Sequence, residues 1–174
     1  TDVNDLGSID LRWNSSLYQQ PFGLYYEMAF EDYGISSLAP SKRSHLIGFD
    51  TDFTSSYGLV SLFAEYSDTY HTECACVYEH DIYRTGYTHR GKVIGSTYGK
   101  NAQSITLGMI TQLKSNSQFQ LGVSKIELNK DNESSVVTES FEQYQDIWEA
   151  RAKYRFIFMD ARWDISALYR QTDV

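Results

Sequence analysis

The stretch DIWEARAKYRFIF, residues 146–158, alternates side chains of two kinds. Every second position is apolar: Trp148, Ala150, Ala152, Tyr154, Phe156 and Phe158. Most of the positions between them are charged: Glu149, Arg151, Lys153 and Arg155. An α-helix would spread these charges around its circumference, whereas a β-strand places successive side chains on opposite faces. The stretch therefore predicts a strand with one apolar face and one charged face.

Seven further segments show the same period of two, and each is close to the ~9–11 residues of a tilted transmembrane strand. They are residues 5–14, 22–33, 45–53, 57–68, 104–113, 118–129 and 161–171. The sequence thus predicts an all-β chain of about eight antiparallel strands, with residues 1–174 as a single β-barrel region.

The links between these segments sort by length. The short links are residues 15–21, 54–56, 114–117 and 159–160, and the long links are 34–44, 69–103 and 130–145. In an up-and-down meander alternate links lie at the same end, so all the short links fall at one end and all the long links at the other. Short periplasmic turns and long external loops are typical of outer-membrane β-barrels.

Aromatic residues lie towards both ends of the apolar faces. Those at the short-link end are Trp13, Phe22, Phe53, Phe119, Phe158 and Trp163, and those at the other end are Phe30, Tyr66 and Trp148. Such girdles mark the two membrane–water interfaces. A soluble antiparallel barrel or sandwich would have an equally apolar face, but it does not explain the sorted links. The sequence therefore favours an up-and-down transmembrane β-barrel in the outer membrane of a Gram-negative bacterium.

The eight strands either close into a barrel by themselves or form part of a larger barrel. Eight strands can form a small filled barrel, in which the inward carboxylates Glu27, Glu31 and Glu65 pair with cations of the 146–158 strand, namely Arg151, Lys153 and Arg155. Residues 170–174, RQTDV, lack the terminal aromatic residue expected of a complete outer-membrane barrel. We therefore expect a fragment, whose first and last strands pair with further strands of a larger barrel.

Composition and motifs exclude several classes of function. The 174 residues have a net charge of −8, and an acidic surface repels nucleic acid. The sequence contains no nucleophile elbow, phosphate-binding loop or His-Glu-x-x-His pattern, so we do not expect an enzyme; an outer-membrane hydrolase remains an alternative. His71, Cys74, Cys76 and His80 are zinc-ligand types, but the Cys-x-Cys spacing is too tight. We expect no metal and no cofactor.

The long external loop, residues 69–103, contains GYTHRGKVIG at 86–95. This run resembles the glycine-tyrosine, basic-glycine-basic, isoleucine-glycine signature of the capsule assembly protein Wzi family. Residues 63–69, 38–42, 25–27 and 31–32 are also similar to that family. The resemblance spans most of the chain, although Cys74, Cys76 and Ser96 depart from the family pattern.

The resemblance implies the C-terminal part of an outer-membrane lectin that holds capsular polysaccharide on the cell surface, without the family's N-terminal strands and periplasmic helical bundle. Sugars stack on aromatic rings and accept bidentate hydrogen bonds. We therefore predict that Tyr83, Tyr87, His89, Arg90 and Lys92 bind the ligand, with Arg84 and Tyr98 as further candidates. Two alternatives stay open: these residues fold the loop back as a plug, or the barrel is a porin-like channel.

Overall fold

The computed structural model describes residues 6–31, 42–70, 88–89, 92–93, 96–99, 101–130 and 143–174. Most of these residues belong to eight long strands: β1 (Leu6–Leu17), β2 (Gln20–Glu31), β3 (Lys42–Thr54), β4 (Gly58–Asp68), β7 (Ala102–Leu113), β8 (Gln118–Leu128), β9 (Gln145–Phe158) and β10 (Ala161–Asp173). Two short strands, β5 (Thr88–His89) and β6 (Lys92–Val93), form a hairpin within the long loop. In the ranges given above, no helix is long and apolar enough to cross a membrane.

The eight long strands form one antiparallel sheet in the order β1-β2-β3-β4-β7-β8-β9-β10. Each strand pairs with its neighbour along the chain, and the sheet bypasses the β5–β6 hairpin. This order confirms the predicted all-β, up-and-down architecture. Strands β1 and β10 do not pair with each other, so the sheet is open at both edges within the described residues, as expected for part of a larger barrel.

The register keeps most of the large apolar side chains of the eight strands on one face, which we call the apolar face. In one row Trp13 pairs with Leu24 and Leu24 with Phe49. The row continues through β4 to β7 and β8, where Leu107 pairs with Val123. A slip of one residue would move a strand's apolar side chains to the opposite side, the polar face. The register therefore follows from the alternation in the sequence.

The apolar face is not covered by any part of the chain that the structure describes. Leu24 is 42% exposed, Leu62 37%, Leu107 57% and Tyr154 38%. A soluble barrel or sandwich would bury these side chains, so the exposure argues against that alternative. An apolar surface of this extent is typical of contact with lipid.

The height of the apolar face fits a bilayer. On β9, Trp148 and Phe158 mark its two ends and are ten positions apart. At ~3.4 Å per residue they are separated by ~34 Å along the strand. A strand tilted by ~40° then spans ~26 Å of membrane, close to the ~25 Å apolar band of outer-membrane barrels.

Two of the short links are two-residue turns with positive φ. Tyr18 and Gln19 have φ of 49° and 67°, and Met159 and Asp160 have φ of 50° and 57°. Two successive left-handed residues match the right-handed twist of the paired strands. The predicted link 15–21 is therefore too long, because only two residues separate the end of β1 at Leu17 from the start of β2 at Gln20.

On the polar face, two aromatic rings lie directly over glycines of the next strand. Tyr25 pairs with Gly48, and Phe63 pairs with Gly108. A Cβ atom built on Gly48 would lie 2.0 Å from the Tyr25 ring, and one built on Gly108 would lie 2.1 Å from the Phe63 ring. Glycine at these positions lets both rings rest against the backbone of the sheet.

Candidate functional site

The five residues predicted to bind ligand lie on the long loop. Tyr83, Tyr87 and Arg90 fall outside the described residues. His89 and Lys92 lie in β5 and β6, where they form a cross-strand pair. The hairpin brings the backbones of these two residues together, and the binding role of all five stays a prediction.

Other candidates from the sequence lie elsewhere. His71, Cys74, Cys76 and His80 are outside the described residues. In the part of the chain that the structure does describe, no group of three or more His, Cys, Asp or Glu residues is placed to hold a metal ion. The His45 ring stacks on the Tyr26 ring, and the Tyr26 hydroxyl lies 2.8 Å from Nδ1 of His45. Both side chains belong to the apolar face.

Hydrogen bonds close the long loop at its base. The Thr69 amide donates to the Ala102 carbonyl (2.8 Å), and the Asn101 amide donates to the Thr69 carbonyl (3.3 Å). The Thr69 hydroxyl also donates to the Gly99 carbonyl (2.9 Å). The side-chain amide of Asn101 donates to Asn129 (3.0 Å), which joins the base to the end of β8. Both ends of the loop are thereby fixed on the sheet.

Tyr98, near the end of the loop, packs against an apolar cluster on the polar face. The cluster consists of Ala102, Ile126, Leu128 and Ile147. This last part of the loop therefore lies over the polar face. This packing is what the plug alternative predicts for Tyr98, and the stacking of its half-buried ring on sugar stays a prediction.

A small cleft lies between this part of the loop and strands β2–β4. Its polar lining residues are Glu27, Ser44, His45, Ser67, Thr69 and Ser96. Hydroxyl and carboxylate groups can exchange hydrogen bonds with the hydroxyls of a sugar. Sequence reasoning does not reveal this cleft, because its residues come from four separate segments and contain no motif.

A charged network lies at the same end of the sheet, on the apolar-face side. Lys125 bonds to Glu127 (3.1 Å), and Lys130 pairs with the same carboxylate (3.4 Å). The Lys130 ammonium lies 5.5 Å from the centre of the Tyr70 ring. Burial and then nearby carboxylates, Glu127 among them, raise the pKa of Tyr144 above its ordinary value. This network of charges and phenols lies where the strands leave the lipid.

Charges on the polar face sort by strand. Among the described side chains, strands β1–β4 carry mostly carboxylates: Asp10, Glu27, Asp50, Asp52 and Glu65, with Arg12 as the cation. Strands β9 and β10 carry mostly cations: Arg151, Lys153, Arg155, Arg162 and Arg170, with Glu149 and Asp164 as the carboxylates. Strands β7 and β8 separate these two regions with uncharged side chains.

Each carboxylate of the basic region binds two cations. Glu149 is 2% exposed and pairs with both Arg151 and Arg170. Asp164 binds Lys153 at 2.9 Å and Arg155 at 2.8 Å. The closed-barrel alternative paired Arg151, Lys153 and Arg155 with glutamates of β2 and β4. Among the described side chains these cations instead pair with Glu149 and Asp164, which lie on the same and the neighbouring strand. Glu65 instead accepts a hydrogen bond from the hydroxyl of Tyr25 (2.6 Å).

Comparison with known proteins gives two matches. The family model described as capsule assembly protein Wzi matches residues 1–174. The chain is also similar to the solved structure of Wzi from Escherichia coli, an outer membrane protein involved in group 1 capsule assembly and a carbohydrate-binding β-barrel. The two share 20% identity with a TM-score of 0.77, over 88% of this chain and 34% of that chain. This likeness shows the fold, and the present chain spans about a third of that protein. No curated protein matches significantly.

Proposed function

This chain belongs to the capsule assembly protein Wzi family and lies in the outer membrane of a Gram-negative bacterium, and on that premise we propose that it is part of a lectin-like β-barrel. The barrel binds capsular polysaccharide without catalysing a reaction and attaches the polymer to the cell surface. Its loop residues Tyr83, Tyr87, His89, Arg90 and Lys92 contact the sugar.

The main observation that supports this proposal is the uncovered apolar face. Because lipid surrounds the strands, a surface polymer can reach the protein only at the long-loop end of the sheet. The loop 69–103 is the longest segment there, and both of its ends are fixed to the sheet through Thr69 and Asn101. A loop anchored in this way holds its aromatic and basic residues near the mouth of the barrel, where rings can stack on sugars and guanidinium groups can bond to them.

The test replaces Tyr87 and Arg90 with alanine in the full-length protein. We expect capsule to be released from the cells into the medium, because the stacking and hydrogen-bonding groups are lost. Ser115→Ala, in a short turn at the opposite end of the sheet, is the matched control and should retain capsule. Immunoblots of outer membranes check that all variants reach the membrane in equal amounts. Unchanged capsule retention would remove Tyr87 and Arg90 from the site.

A second candidate function is a channel, and the cationic region of β9 and β10 favours it. Charged ladders on the inner wall of a barrel tune the passage of ions. The packing of Tyr98 over the polar face favours the plugged barrel instead. Conductance across planar bilayers separates the two: a channel is open, whereas a plugged lectin conducts almost no current.

A further inference from the structure

A hollow lies on the apolar face near its short-turn end. Its floor is formed by Val60 and Thr111, which pair across β4 and β7 and are each 8% exposed. Larger side chains of the adjoining strands and turns surround it: Phe53, Tyr57, Leu113, Phe119 and Tyr154. Two small residues in a row of large ones leave the wall recessed at this point.

The edge of the hollow is formed by two short turns that are bonded to each other. The Lys114 amide donates to the Tyr57 carbonyl (3.0 Å) and joins the two turns. The Leu113 amide donates to the Ser117 carbonyl (2.8 Å) and closes the second turn. The side chains of Lys114 and Tyr57 are both exposed. Lys114 forms no ion pair with any residue that the structure describes. The phenol of Tyr57 thus borders the hollow, and Lys114 directly follows Leu113, which also lines it.

We propose that this hollow is a binding site for one phospholipid with an anionic headgroup. An acyl chain lies over Val60 and Thr111, and the phosphate lies near Lys114 and Tyr57. Short turns of outer-membrane barrels are on the periplasmic side, so the lipid belongs to the inner leaflet of the outer membrane.

Two physical arguments support this occupant. An empty recess in a wall that faces lipid loses dispersion contacts on all its lining atoms, and a flexible acyl chain restores them. A lysine at the membrane boundary attracts an anionic headgroup, and a tyrosine at that height places its hydroxyl among the headgroups. Lys114 directly follows Leu113 and its amide is bonded to Tyr57, both of which line the hollow, so a single lipid molecule can contact both the hollow and Lys114.

The experiment is native mass spectrometry of the purified full-length protein after exchange into equal amounts of phosphatidylglycerol and phosphatidylethanolamine. We expect one retained lipid, with phosphatidylglycerol preferred. Val60→Phe fills the floor and should lower retention about tenfold, the loss expected when about two methylene groups of the chain lose their contacts. Lys114→Gln should keep a lipid bound but abolish the preference for phosphatidylglycerol.

Leu107→Phe is the matched control, because it adds a similar ring to the same face away from the hollow; it should bind lipid as the parent protein does. Heat-modifiable gel mobility verifies folding, and Thr111→Leu replaces Val60→Phe if that variant does not fold. Retention unchanged by filling the floor would overturn the proposal. An unchanged headgroup preference in Lys114→Gln would also overturn it. Neither result bears on polysaccharide binding by the loops.

Discussion

Gly108 and Gly122 pair across β7 and β8, yet their replacement by alanine should have opposite effects on stability. A Cβ atom on Gly108 would lie 2.1 Å from the ring of Phe63. A Cβ atom on Gly122 would have the Leu107 carbonyl oxygen as its nearest neighbour, at 3.9 Å. Neither glycine has a positive φ, so the backbone accepts alanine at both positions. Gly122→Ala is therefore a matched control for Gly108→Ala.

The magnitude follows from these two distances. In Gly108→Ala the Phe63 ring must move by more than about 1 Å to regain ordinary contact, and overpacking of this kind costs about 1–3 kcal/mol. In Gly122→Ala no atom has to move, and the alanine restricts the unfolded chain, which stabilises the fold by about 0.4–1 kcal/mol. The free energies of unfolding of the two variants should differ by about 1.4–4 kcal/mol.

The assay is a urea titration of the full-length protein in lipid vesicles, with folding followed by tryptophan fluorescence. A double-mutant cycle isolates the contact between ring and glycine. In a Phe63→Ala background, Gly108→Ala should no longer destabilise the protein, because the ring that it displaces is gone. Equal losses for Gly108→Ala and Gly122→Ala would refute the reasoning, as would a loss that persists in the Phe63→Ala background.

Two further substitutions test the faces of the sheet by the same titration. Leu107→Arg places a charge in the middle of the apolar face and should lower the free energy of unfolding by about 2–4 kcal/mol, whereas Thr106→Arg on the polar face should change it far less; equal effects would contradict the assignment of the faces. Glu149→Gln removes the buried charged acceptor of Arg151 and Arg170 and should cost about 1.5–3 kcal/mol. An unchanged urea midpoint of unfolding in Glu149→Gln would mean that this carboxylate does not stabilise the sheet.

The eight strands and their faces could be predicted from the sequence because one repeating signal determines both. Alternation with a period of two identifies each strand and also the side that faces lipid. The ends of the strands were harder to predict. Tyr18 and Gln19 form a tight turn without the glycine or asparagine that usually marks one, so β1 and β2 are longer than the pattern indicates.

The candidate site was less predictable, because its geometry depends on contacts between distant residues. The hairpin pairing of His89 with Lys92 is local and lies within the GYTHRGKVIG run at residues 86–95. The packing of Tyr98 depends on Ile126 and Ile147, which belong to other strands. A tyrosine can stack on sugar or pack against the sheet, and its local sequence is the same in both cases. The sequence could therefore not separate the two roles.

The strict alternation along β9 also bears on how such a chain is exported. A segment that leaves a translocation channel sideways into the inner membrane must be apolar for about 20 consecutive residues. Strand β9 carries Glu149, Arg151, Lys153 and Arg155 at every second position, and each charge costs about 2.5–3.5 kcal/mol in a membrane helix. A strand built in this way passes through the inner membrane without being trapped there, and its apolar side chains meet lipid only after it has paired with its neighbours.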